Sequence, residues 1–165
     1  MAVRIQPEDF DISAEVRAVS AGRTDIGAIV TFTGTVRGGN GNAHITEMTL
    51  EHYPGMTEVE LQRIEAEAQR RWPLQASLII HRYGPLRPGD NIVLVVTASR
   101  HRQAAFDAAA FLMDFLKTRA PFWKKETRAD GSSGWVDAHD ADDTALTRWD
   151  ETPGQLKTGR SRAAE

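Results

Sequence analysis

From about Ser99 to Arg119 the chain carries a helix with almost no polar side. At about 100° per residue, Phe106, Ala109, Ala110, Met113 and Leu116 form one apolar stripe. Phe111 and Phe115, with Ala104 and Ala108, form a second, and only Gln103, Asp107, Asp114 and Thr118 supply a polar edge. A helix of this kind is buried on most sides, or it serves an interface as well as the core. Ser99 is expected to cap its start, and Pro121 closes it.

What surrounds the helix reads as strands. "IVLVVTAS" (92–99) is continuously apolar, which suits a central strand covered on both faces. "IGAIVTFTGTVR" (26–37) and "ASLIIHRYG" (76–84) are rich in β-branched and aromatic residues. "HITEMTLEHY" (44–53) alternates, with Met48, Leu50 and His52 on one face and Glu47, Thr49 and Glu51 on the other. Across the glycine-rich "GGNGN" (38–42) it is expected to pair with the preceding strand as a hairpin. Residues 2–6 and "SGWVDA" suggest short strands, and "DISAEVRAVS" a short helix. Thr57 and Glu60 have capping-box spacing for a helix that ends at Trp72-Pro73. Pro88-Gly89 suits the middle of a type II turn. Elements mixed in this order predict an α+β (mixed α/β) fold and not a doubly wound sheet. One domain is expected over 1–150, with 151–165, which has little to bury, expected to be a disordered tail.

The charges are where function enters. Lys117 points within about 20° of Phe106, and Arg102 lies on the same side. A last-turn cation that favours the helix C-terminus and snorkels over the core explains Lys117 as well as a site does. It does not explain the other end. "SRHR" sets Arg100, His101 and Arg102 at a helix N-terminus, where cations oppose the macrodipole. Either they pair with acids elsewhere in the fold, or they and the free N–H groups form an anion site. Arg37 ends a strand and opens a flexible loop. Lys124 follows a Pro-Phe-Trp wedge that can desolvate an amine, although "KK" dipeptides commonly lie on the surface.

Other chemistries are excluded or weakened. The chain has no cysteine, hence no disulfide, thiolate ligand, cysteine nucleophile or persulfide. Its five histidines show neither HxxxH nor HExxH spacing, so no metal is expected, and His52 reads as a core residue. GxSxG and the P-loop motif are absent. A net charge of −3 and scattered tryptophans argue against nucleic acid. No apolar run suits a membrane, and "MAVRIQPEDF" lacks a signal-peptide core, so a cytoplasmic location is expected. On these residues alone the chain is an anion-binding enzyme or a non-catalytic anion sensor.

"VTFTGTVRGGN", "LEHYPGM", "HRYGPLRPGD", "SRHRQAAF" and "MDFLKTRAPFWKKE", in this order over about residues 26–138, resemble the large, catalytic subunit of molybdopterin synthase. The resemblance implies an α/β hammerhead fold, a single domain with a largely antiparallel sheet. It implies a homodimer with a small ubiquitin-like sulfur-carrier subunit at each far end, together a heterotetramer. That subunit's Gly-Gly terminus carries a thiocarboxylate, which enters the large subunit's pocket. The implied reaction is sulfur transfer to cyclic pyranopterin monophosphate (precursor Z), building the dithiolene of molybdopterin, with no cofactor on this chain.

The family's functional positions fall on residues of this sequence. The substrate-binding strand end is Thr35-Val36-Arg37 and the helix-start pair is His101-Arg102. The central lysine is Lys117, and the following basic segment is Lys124-Lys125-Glu126. Lys117 and Lys124 are the implied catalytic pair. Relatives often read Lys-Arg-Glu in the last segment, so Lys125 keeps the charge and loses a bidentate fork. His101 and Arg102 act either within one subunit or across the dimer.

Overall fold

The computed structural model describes residues 2–39, 44–136 and 148–149. The elements in chain order are β1 (Ala2–Gln6), α1 (Ile12–Ser20), β2 (Ala28–Thr35), β3 (Ile45–His52), α2 (Met56–Arg71), β4 (Leu74–Arg82), β5 (Gly84–Leu86), β6 (Asn91–Ser99), α3 (Arg102–Thr118), β7 (Phe122–Arg128) and β8 (Ser133–Val136). They form two four-stranded sheets, ordered β1-β4-β6-β2 and β5-β3-β7-β8. Only the β1–β4 pair is parallel. The described architecture is thus α+β with largely antiparallel sheets.

The apolar run of β6 lies between β4 and β2, and Val93 to Ser99 are all buried. On one face Ile79, Val93 and Val95 pack against Leu61 and Ile64 of α2 and Phe111, Leu112 and Phe115 of α3. On the other, Leu78, Ile80, Leu94 and Val96 meet Phe10, with Val16 of α1 packed against them. A continuously apolar strand therefore has helices on both faces, as its composition requires.

Three expectations are corrected. First, β2 and β3 do not form a hairpin: β2 runs antiparallel to β6, and β3 pairs with β5 and β7 in the other sheet. The inner strand β6 needs a neighbour on each edge, and β2 supplies one. Strand composition signals how buried a strand is, not which strand it joins. Second, the caps shift. Gly55, at φ +84°, is the N-cap of α2, and its N–H donates to Glu58 at 2.7 Å. Thr57 lies inside the first turn, fully buried, its hydroxyl donating to Tyr53 O. Ser99 does not cap α3; its hydroxyl donates to Pro73 O at 3.0 Å, and the N-cap is His101, with no side-chain cap bond. Third, the buried side of α3 comprises Ala105, Ala108, Ala109, Phe111, Leu112, Phe115 and Leu116. Phe106, on the first apolar stripe, is 58% exposed.

Two strands were missing from the sequence reading. β5 is a three-residue edge, and β7 takes Phe122 and Trp123 of the supposed Pro-Phe-Trp wedge into an inner strand between β3 and β8. Beyond β8, Trp149 packs on Trp72 and Phe111, and its indole N–H donates to Asp114 at 2.7 Å. The tail expected over 151–165 lies outside the described residues, as does much of the "GGNGN" turn.

Candidate active site

A groove of about 950 Å³ opens between the two sheets, beside the C-terminal end of α3. Its floor is a row of registered neighbours: Gly34 of β2 faces Val93 of β6, which faces His81 of β4. Gly34 keeps the row low, because a Cβ there would stand 2.9 Å from Val93 Cγ1. The opposite wall is the inner face of β7. Strand alternation points Phe122, Lys124, Glu126 and Arg128 into the groove. Trp123, half exposed, points the other way, and Lys125 does not line the groove.

Thr35 and Arg37 line the groove from the end of β2. Val36 does not. It is buried against Met48, Leu50 and Leu86, donating its N–H to Asp90 O and accepting from Gly89 N, both at 2.9 Å. Those bonds clamp the strand end onto the Arg87–Asp90 turn, where Gly89 takes φ +94°. Val36 thereby holds Arg37 in place. Lys117 reaches the groove from the last turn of α3, with Leu116 buried beside it as its anchor.

Lys124 Nζ lies 3.2 Å from Glu126 Oε1, and its side chain is 33% exposed. It is a paired cation with access to water, not the desolvated amine that the Pro-Phe-Trp wedge suggested. Arg37, Lys117 and Arg128 make no ion pair among the described residues. Four cationic side chains thus face one carboxylate, in a chain whose net charge is −3. A groove with low-dielectric walls concentrates such a field on an anionic ligand.

His101 and Arg102 are not in this groove. With Arg100, Gly27 and Ala28 they line a separate cavity of about 400 Å³ at the other end of α3. Fifteen residues at 1.5 Å rise separate Arg102 from Lys117 by about 22 Å along the helix. The backbone there is tightly apposed, since a Cβ on Gly27 would stand 2.3 Å from Arg100 O.

Sequence reasoning missed two groove residues. Arg128 follows from counting in twos from Lys124. His81 follows from counting in twos from Ile79, a core residue of β4. The His81 ring is 7% exposed and stacks on Phe122 at 3.7 Å between centroids and 16° between planes. Its Nδ1 is 2.9 Å from Arg82 O. Burial pushes the imidazole down to about 4 from its ordinary 6.5, so it is neutral at neutral pH. A carbonyl only accepts, so Nδ1 carries the hydrogen and Nε2 is an unprotonated acceptor.

This has a consequence for stability. Above pH 6.5 His81 is neutral in both folded and unfolded chains and contributes no slope. Between pH 6.5 and 4 the unfolded chain takes up a proton that the folded chain refuses. Unfolding free energy should therefore fall over that window by up to about 3 kcal/mol. Urea titrations across this range should show the loss in the wild type and a flatter profile in His81→Phe. Equal slopes would remove His81 as the cause.

Comparison with known proteins follows the same lines. The family model described as "MoaE protein" matches residues 5–119. The molybdopterin synthase catalytic subunit of Mesorhizobium japonicum is 60% identical over 148 residues, covering 89% of this chain and 92% of the relative. The structure of the molybdopterin biosynthesis MoaE protein from Burkholderia ambifaria MC40-6 superposes with TM-score 0.77 at 53% identity, covering 92% of this chain and all of that one. The complex of subunits 1 and 2 of molybdopterin-converting factor from Helicobacter pylori 26695 shares the fold, with TM-score 0.67 at 19% identity over 84% of this chain and 90% of that one. The chain belongs to the MoaE family, the catalytic subunits of molybdopterin synthase.

Proposed function

We propose that the groove carries out sulfur transfer from the thiocarboxylated C-terminus of a small ubiquitin-like subunit to cyclic pyranopterin monophosphate. The observation that carries this reading is the excess of cationic side chains in one groove, lined by both Lys117 of α3 and Lys124 of β7. A thiocarboxylate and a cyclic phosphate are both anions, and both need such a field. Arg37 and Arg128 are suited to the phosphate, since a guanidinium offers paired donors. Lys117 stabilises negative charge developing at the tail's acyl carbon, or moves a proton there. Lys124, held by Glu126, serves as the second acid/base or as an electrostatic clamp. Each transfer breaks the tail's acyl C–S bond, water supplying the oxygen of the carboxylate left behind, and forms a C–S bond on the substrate as an oxygen departs there, once on the opened cyclic phosphate and once as water. The donor sulfur arrives on the partner, in keeping with a chain that has no cysteine.

His101 and Arg102 contribute, on this reading, from a second copy. The open side of α3 runs from Arg102 through exposed Phe106 to half-buried Met113 and Lys117. A two-fold pairing of that side would bring one copy's helix start toward the other's helix end and cover Phe106. It would also give the uncapped, basic N-terminus of α3 an anionic ligand.

The test is reconstitution. The protein, mixed with thiocarboxylated small subunit and cyclic pyranopterin monophosphate, should yield the dithiolene product and return the small subunit as carboxylate. Binding of both without product would leave only an anion-sensing role.

A further inference from the structure

His81 is the one buried titratable side chain of the groove that the proposed chemistry leaves unused. One face of its ring is covered by Phe122, and its Nδ1 edge is held by the Arg82 carbonyl. That leaves Nε2, for which the described residues offer no hydrogen-bond partner. Nor is Nε2 sealed off: among the described residues the buried side-chain nitrogens and oxygens left without a partner are Gln75 Oε1 and, on the other imidazole beside Phe122, His52 Nδ1. The residue lies on the groove floor, at the end of the Gly34–Val93–His81 row.

The surroundings define what this atom can recognise. Ile92, Val93, Met113, Leu116 and Phe122 make that part of the groove apolar. The cationic groups of the groove are all donors, and the one carboxylate, Glu126, is engaged by Lys124. A neutral acceptor in an apolar setting pairs with an N–H donor and offers an anionic oxygen nothing to pair with. A flat, nitrogen-rich ring with a phosphate on one side carries such donors on its other side.

We propose that His81 Nε2 accepts a hydrogen bond from a ring or amino N–H of the substrate's heterocycle and so fixes which way the substrate lies. The phosphate then meets Arg37 and Arg128, and the carbons that receive sulfur lie between, near Lys117. His81 is a positioning and specificity-determining residue, not an acid or base. An imidazole depressed to about 4 binds protons too weakly to serve as the base at neutral pH. This inference rests on the proposed substrate, a pterin phosphate.

Two measurements test it. In the complete complex with thiocarboxylated partner, His81→Phe keeps the stacked ring and removes the acceptor. It should raise KM for cyclic pyranopterin monophosphate about 10-fold, with little change in kcat or in affinity for the partner. His81→Gln, which returns an acceptor oxygen near the Nε2 position, should recover part of the loss. An unchanged KM in His81→Phe, or equal losses in KM and partner affinity, overturns the assignment. Should the variants not fold, ¹⁵N resonances of the wild-type imidazole decide. Nε2 should begin at the position of an unprotonated nitrogen and shift when the pterin phosphate is added, while Nδ1 stays still. An unmoved Nε2 overturns the proposal. If the wild type binds the pterin phosphate with that shift but makes no product, the sulfur-transfer reading fails and the His81 assignment stands.

Discussion

Replacing Lys117 by alanine should abolish product formation and leave binding of the small subunit largely intact. Lys117 is exposed at the end of α3, and the residues that fix the helix there are its neighbours Phe115 and Leu116, both buried. Alanine removes no core volume. The fold loses only a last-turn cation, worth about 0.3–1 kcal/mol. On the proposed reading the reaction loses its charge at the point where the tail and the pterin meet. Removing one preorganised electrostatic group of this kind costs about 10²–10³ in kcat. Single-turnover product formation, set beside a titration with the small subunit, separates the two effects. Near-normal turnover would strip Lys117 of its role.

The second large effect is a contrast between neighbours. Lys124→Ala should lower activity by about 10² or more, whereas Lys125→Ala should stay within about threefold. The amines differ by one residue and face opposite ways across β7, since Lys124 lines the groove and Lys125 does not. Lys124→Ala also leaves Glu126 unpaired in the groove, where its charge repels a phosphate. KM for the pterin should therefore rise along with the fall in kcat. A Lys124→Ala/Glu126→Ala double variant should recover some of the KM loss but none of the kcat loss. Equal effects of Lys124→Ala and Lys125→Ala would mean that the strand face is immaterial and only local charge counts.

How much of this was legible in the sequence depended on the range of the interaction involved. The run of β6 and the length of α3 were readable because hydrophobic period and proline placement act over a few residues. The partners of β2 were not readable. Ala28 pairs with Ser99, about seventy positions away, and nothing local encodes that choice. The strand β7 was hidden behind its own composition. "FWKKETR" is charged and follows a proline, and its period-2 pattern appears only when Phe122, Lys124, Glu126 and Arg128 are read as a set. Lys117, Arg37 and the residues near Lys124 were found through helix geometry and through the family resemblance. His81 was overlooked because a histidine in an apolar strand looks the same in sequence whether it closes a core or floors a groove.

The strand that carries Lys124 has a further property. Because side chains alternate, a one-residue slip in the pairing of β7 would turn Trp123, Lys125 and Thr127 inward. The doubled lysine means that such a slip would still present an amine to the groove. It would also lose Glu126 and Arg128 and set an indole where Phe122 now stacks on His81. The lysine pair thus makes the groove's charge tolerant of misregistration while its shape is not, and single-residue insertions near Pro121 would yield a folded, still basic, inactive protein.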